Sequence, residues 1–146
     1  MLTIQFEPYN RLTIDELYDL LALRNHVFIT EQQCPYQDCD YRDQHAIHLL
    51  GYENTSLKAY LRILPHPENH AMSFGRVLSA VNVRKKGYGK QIINATLDYL
   101  NEHYPQQPII ISAQHYLLHF YEAFGFKSQG DIYNEDGIAH IRMELK

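Results

Sequence analysis

No run of apolar residues in this chain approaches the roughly 20 needed to cross a bilayer, so no membrane association is expected. An excess of positive charge is also missing. Thirteen Lys and Arg against 17 Asp and Glu leave a net charge of -4, which argues against nucleic acid as the main partner. The amino-terminal Met1-Leu2-Thr3-Ile4-Gln5-Phe6 lacks the basic-then-apolar layout of a signal peptide, so a cytoplasmic location is expected. Cysteine is scarce: Cys34 and Cys39 are the two present, and in the cytoplasm both should be reduced. With His45 and His48 nearby they invite a metal reading. Their spacing fits no zinc pattern, however, and Asp38, Asp40 and Asp43 serve equally as turn residues, so no metal is expected. Repeats, low-complexity tracts and interdomain linkers are absent too. A chain of 146 residues then suits a single domain, 1–146, around one core.

The patterns that are present alternate between two periods. Thr3 to Phe6 reads as a short strand. Thr13-Ile14-Asp15-Glu16 is a capping box that opens a helix, and Leu17, Leu20, Leu21 and Arg24 follow at helical spacing, with Val27 and Phe28 continuing the face towards Thr30. Glu31 to Gln44 is a polar, turn-rich loop, long enough to be expected to carry binding residues. His45 to Tyr52 and Leu57 to Leu64 read as a strand pair across Glu53-Asn54-Thr55-Ser56, and Pro65 to Asn69 breaks the pattern. Phe74 to Val83 reads as a longer strand and Lys90 to Tyr104 as a helix presenting Ile92, Ile93, Leu97 and Leu100 on one face. Pro105 and Pro108 end that helix and open a strand over Ile109 to Ser112. Tyr116 to Phe124 is a further helix with Gly125 as its C′ residue. Ser128 to Tyr133 and Ile138 to Leu145 form a last hairpin across Asn134 to Gly137. This order gives an α/β fold, a mixed sheet with helices on its faces.

Chemistry enters at Arg84-Lys85-Lys86-Gly87-Tyr88-Gly89, an R-x-x-G-x-G turn between an apolar strand and a helix start. Two glycines let the backbone turn tightly and let a ligand come close. The open N–H groups of the following helix favour anions, and Arg84, Lys85, Lys86 and Lys90 add positive charge. The turn reads as a diphosphate cradle. A second segment, Phe120-Tyr121-Glu122-Ala123-Phe124-Gly125-Phe126, follows the strand at Ile109. Together the two resemble the GNAT superfamily of acyl-CoA-dependent N-acyltransferases. Leu23 to Phe28, Glu31 to Asp38, Phe74 to Val77, Ser112 to His115 and Glu135 to Met143 look like its ElaA-like branch.

The resemblance implies a GNAT fold in which the strand before the phosphate turn and the strand after the next helix run parallel and splay apart, with the pantetheine arm of coenzyme A in the wedge. It implies acetyl-CoA as cosubstrate, held at Arg84, Lys85, Lys86, Gly87, Tyr88, Gly89 and Lys90. Backbone groups of Val77, Leu78 and Ser79 would meet the pantetheine and the thioester oxygen. Gln114 stands where many relatives have an asparagine on pantetheine. Tyr121 would be the general acid that protonates the departing sulfur; the alternative is that it only packs, as Phe120 and Phe124 do.

The general base stays open among Glu31, His45, His48, Glu135, Asp136 and His140, and a water chain is a further option. Arg76 on the wedge strand either pairs with an acid of the Glu31–Asp43 loop, which an inward arginine favours, or binds an acidic substrate group. Asp38, Asp40, Asp43, Glu135 and Asp136 would form an acidic rim suited to a cationic amine, with Glu31, Asp38, Arg76 and Glu135 as substrate contacts. The implied activity is transfer of an acetyl group to a small-molecule or peptide amine. An acyl-CoA-binding regulatory module without turnover, or an enzyme like the acyl-homoserine-lactone synthases, are the alternatives. A homodimer is left open.

Overall fold

The computed structural model describes residues 1–33, 36–68 and 70–146; Cys34, Pro35 and Asn69, which sequence places in loops, lie outside them. Seven strands form one sheet in the order β1-β2-β3-β4-β5-β7-β6. They are β1 (Thr3–Pro8), β2 (Ile47–Glu53), β3 (Ser56–Pro65), β4 (Met72–Ser79), β5 (Ile109–Gln114), β6 (Lys127–Glu135) and β7 (Ile138–Leu145). All neighbours are antiparallel except β4 and β5, which are parallel. The helices are α1 (Ile14–Arg24), α2 (Tyr88–His103) and α3 (Leu118–Glu122). The mixed sheet expected from sequence, with its element order, is therefore present.

Helix α1 opens on the expected capping box: Glu16 N–H donates to Thr13 Oγ1 at 3.0 Å and Thr13 N–H to Glu16 Oε1 at 2.9 Å. It continues without a break into a π-helical stretch, Asn25–Glu31. A π turn is wider than an α turn and recurs at functional sites; here consecutive Val27 and Phe28 both reach the sheet. They pack with Leu20, Leu50, Tyr60 and Leu78 on one face. The other face carries the larger core, in which α2 contributes Ile92, Ile93 and Leu100. Fully burying each of these side chains is worth about 1.5–3 kcal/mol. Thr96 is also buried on that face, an addition to the expected stripe, while Leu97 packs at its edge.

Several boundaries differ from expectation by a residue or two, and two differ by more. The strand expected to run to Val83 ends at Ser79, and Val81–Lys86 forms 3-10 turns. Ala80 N–H still donates to Lys58 O at 2.7 Å, but the last ladder pair is Ala59↔Ser79. Val83 is apolar because it plugs the core beneath α2, not because it is in a strand. The helix expected over Tyr116–Phe124 is shorter: a 3-10 turn, His115–Leu117, leads into α3, and Gly125 follows at φ +98° as the left-handed stop.

The feature that positions the site is a bulge in β4. Tyr60 pairs with Leu78 and Arg62 with Gly75, so two steps on β3 face three on β4. Arg76 takes φ +53°, an uncommon backbone for a side chain of its size. The extra residue reverses the facing of β4: Phe74 packs with the α2 core, whereas Leu78 packs with α1. Over this stretch β4 also parts from β5. The two strands share one register pair, Met72↔Ile109, and beyond it they diverge as the splayed pair expected from sequence.

Candidate active site

An open cleft of about 590 Å³ fills the gap between β4 and β5. Val77, Leu78 and Ser79 line it from β4, Ser112 and Gln114 from β5, and Tyr121 from α3. Arg84 and Gly89 stand at one mouth, and Glu135 and His140 belong to the lining on the β6–β7 side.

At the first mouth, Gly87 at φ +76° turns the chain into α2 and offers no side-chain cap. Gln91 N–H donates to Gly87 O at 3.1 Å, and the N–H groups ahead of it at the start of this four-turn helix are open to an anion. A Cβ built on Gly89 meets nothing within 4 Å, so the backbone there is open to close approach. Lys85 and Lys90 are exposed, and among the described residues no carboxylate pairs with either. This end fits a diphosphate.

Not every residue of the expected cradle faces it. The Tyr88 ring is buried in the core, its hydroxyl bonded to Glu53. Glu53 also accepts from Lys86 Nζ at 2.9 Å; the Tyr88 and Lys86 hydrogen bonds hold its carboxyl below the usual range. Lys86 is thus committed to the β2 side. Arg84 is committed as well, with Nη2 2.6 Å from Glu31 Oε1 and 3.3 Å from Ser79 O. Glu31, expected as an acceptor contact, belongs to the cleft lining and bridges the π-helical stretch to the Arg84 turn.

The expected acidic rim is largely neutralised. Asp38 is 9% exposed, with Arg24 Nε 2.8 Å from one oxygen and Arg76 Nε 2.7 Å from the other. The Arg76 contact is a charge pair without an aligned hydrogen bond at Nε; its Nη2 donates to Asp38 O at 3.0 Å. Asp43 takes Arg24 at 2.7 Å and Arg62 at 2.8 Å, and Asp40 takes Arg62 at 2.5 Å. Burial would raise both carboxyls, but the arginine hydrogen bonds and charges outweigh it and hold Asp40 and Asp43 well below the ordinary range. Asp38, Asp40 and Asp43 are therefore matched by Arg24, Arg62 and Arg76 and carry no surplus charge for a substrate. Arg76 takes the internal partner that its inward position required, and its guanidinium also lies over the Tyr36 ring at 5.6 Å.

Beneath the network, His48 is fully buried, with Nδ1 2.5 Å from Tyr60 Oη and Nε2 2.9 Å from Asp43 O. Burial pushes its pKa down. Sequence reading missed Arg62, Tyr60 and the structural part of His48. The available signal was Arg24, a charged residue on an apolar helix stripe.

Tyr121 projects from α3 among Phe74, Phe120 and Phe126, with ring centroids 6.3, 5.1 and 6.0 Å away. Burial raises its pKa, so the phenol keeps its proton at any physiological pH. On the β6–β7 side, Glu135 Oε2 lies 3.4 Å from His140 Nε2 and Glu135 Oε1 3.3 Å from Ser112 Oγ. Asp136 caps the hairpin turn at φ +53° before Gly137 at +82°. Among the described residues no group of three or more His, Cys, Asp or Glu could hold a metal ion. No helix there is long and apolar enough to cross a membrane.

Comparisons with known proteins agree with this arrangement. A family model, "Acetyltransferase (GNAT) domain", matches residues 23–146. Protein ElaA of Escherichia coli (strain K12) is 40% identical over 138 residues, 92% of this chain and 90% of that protein. Its crystal structure superposes with a TM-score of 0.94 at 38% identity, covering 100% of both chains. The crystal structure of an acyl-CoA N-acyltransferase from Pseudomonas aeruginosa gives a TM-score of 0.94 at 36% identity, again over 100% of both. A CoA-dependent acyl-homoserine lactone synthase matches at a TM-score of 0.81 and 15% identity, over 99% of this chain and 82% of its own. That last likeness is one of fold alone.

Proposed function

Because the chain belongs to the GNAT acetyltransferase family, in its ElaA-like branch, we propose that it transfers an acetyl group from acetyl-CoA to an amine of a small molecule or peptide by direct attack on the thioester. The observation that carries this reading is the divergence of β4 from β5 at the Arg76 bulge, with an open helix N-terminus at one mouth and a buried phenol beside the gap. The leading N–H groups of α2, together with Lys85, Lys90 and Arg84, would hold the diphosphate once Arg84 leaves Glu31. Backbone groups of Val77, Leu78 and Ser79 and the Gln114 amide would order the pantetheine arm.

A thioester supplies an already activated carbonyl, so positioning and backbone hydrogen bonds can provide much of the acceleration. Tyr121 is protonated where sulfur must receive a proton, which suits a general acid. A non-catalytic acyl-CoA-binding module has no use for that phenol. We place the enzyme in the cytoplasm. Thiol release from acetyl-CoA, measured against a panel of amines, polyamines and peptides, tests the reading. An acceptor-dependent release supports it; tight acetyl-CoA binding with no release above hydrolysis for any acceptor would replace it with the binding module.

A further inference from the structure

We propose that His140 is the general base of this reaction and that Glu135 is the residue that positions it; the inference rests on the acyltransferase reading above. His140 is buried, its side chain 9% exposed, and it lines the cleft. Its Nδ1 lies 2.8 Å from Ile138 O. A carbonyl only accepts, so Nδ1 carries a hydrogen, and in the neutral ring the lone pair is on Nε2. Nε2 is the atom 3.4 Å from Glu135 Oε2. A proton taken up at Nε2 therefore stands opposite the Glu135 carboxylate, which orients the ring. The ring plane is fixed by Tyr133, stacked at 6.2 Å and 26°. Tyr133 Oη is hydrogen-bonded to Ser112 Oγ, which also reaches Glu135. The neighbouring cation on this strand, Arg142, is occupied by Glu68 at 2.7 and 3.0 Å.

The other candidates are less suited. Glu31 stands beside Arg84, at the mouth assigned to the diphosphate and away from the β6–β7 side. His48 has both ring nitrogens engaged in the interior. His45 is exposed and not part of the cleft lining. Asp136 is exposed at the turn tip. Of the pair, His140 is buried in the cleft lining and Glu135 is half-exposed, so His140 is assigned as the proton acceptor.

Placement relative to Tyr121 completes the argument. Along β5, Ile111 and Ala113 enter the core shared with Tyr121, and along β7 so do Ile141 and Met143. Alternation sends Ser112, Gln114, His140 and Arg142 to the opposite face, and Gln114 pairs directly with His140 in register. Base and acid thus address the wedge from opposite faces of the sheet. An acceptor arriving as ammonium gives one proton to His140 Nε2, which passes it to solvent. The freed nitrogen forms the C–N bond while the C–S bond breaks, and its electron pair leaves with sulfur, which takes the Tyr121 proton. The second proton lost by nitrogen as the amide forms makes good the Tyr121 hydroxyl.

The test uses whichever amine the thiol-release panel selects, with kcat/KM measured at about pH 7 and about pH 9.5, where an alkylamine goes from nearly all ammonium to substantially free amine. His140→Gln should be about 100-fold slower than wild type at the lower pH, and the deficit should shrink towards a few-fold at the higher pH, because a free amine needs no base. Glu135→Gln, a substitution at a half-exposed side chain, should show a smaller deficit that shrinks the same way. A deficit equal at both pH values, or no deficit, overturns the inference. Should His140→Gln fail to fold, an unchanged rate in Glu135→Gln at the lower pH overturns it instead. If wild type releases no thiol with any amine, the acyltransferase reading itself falls and this falls with it; wild-type release with an unimpaired His140→Gln removes this inference alone.

Discussion

Between Arg24 and Arg76 the Asp38 carboxylate has an arginine on each oxygen, and Arg24 is wholly buried. Charges taken from water repay the cost only when paired, and removing one partner strands the other. Asp38→Ala should therefore act on folding, lowering the unfolding free energy by about 3–5 kcal/mol, as read by denaturant titration. Asp38→Ala with wild-type stability and only a raised Michaelis constant for the amine would return Asp38 to the substrate rim. Glu31 belongs to the same scale. Its ion pair with Arg84 is 30–41% exposed at its side chains, and surface pairs of that kind contribute little, so an incoming diphosphate can displace it at small cost.

At the scale of elements, the N-terminus of α2 is the part most open to a clean experiment. Gly87 needs its left-handed backbone, so any substitution there confuses binding with strain. Gly89 does not: its φ is ordinary and the space beside it is open. Gly89→Val should keep the melting temperature close to wild type while weakening acetyl-CoA by at least ~1.4 kcal/mol, roughly tenfold, measured by calorimetry. Unchanged affinity in the folded variant would move the diphosphate elsewhere. Both glycines, the capping box at Thr13 and the alternation of most strands were legible in sequence because each is a local preference. The bulge was not, since it places arginine, not glycine, at positive φ, and only the ladder between β3 and β4 dictates that. The π-helical stretch was likewise hidden, because Asn25–Glu31 keeps an apolar face under either helical period. The pairing of Asp38, Asp40 and Asp43 with three arginines depended on contacts between residues up to 38 apart in the chain. His140 was one of nine histidines until the register of β5, β7 and β6 set it beside Glu135.

Taken as a whole, the molecule holds the Asp38–Asp43 loop down through one interior cluster, Arg24, Asp43, Arg62, His48 and Tyr60, and that cluster sets a pH response. His48 is buried and neutral, its pKa lowered by burial, so the unfolded chain binds its proton more readily than the native one. Stability should be full above the ordinary histidine value of about 6.5 and should fall as pH drops below it, by up to ~1.4 kcal/mol per unit. Asp40 and Asp43, whose carboxyls are held low, add their loss only at more acid pH, below the ordinary aspartate range. Denaturant titrations at neutral and mildly acid pH should show that slope in wild type and not in His48→Gln. A flat wild-type profile would mean that His48 is charged in the native state. The claim that joins the cluster, the bulge and the wedge is that Tyr121 acts on the departing sulfur of an acyl thioester. The direct test compares Tyr121→Phe with wild type in single-turnover thiol release, with acetyl-CoA affinity measured in parallel. The account predicts a turnover loss of roughly 100-fold or more with affinity nearly unchanged; equal turnover in the two proteins would contradict it.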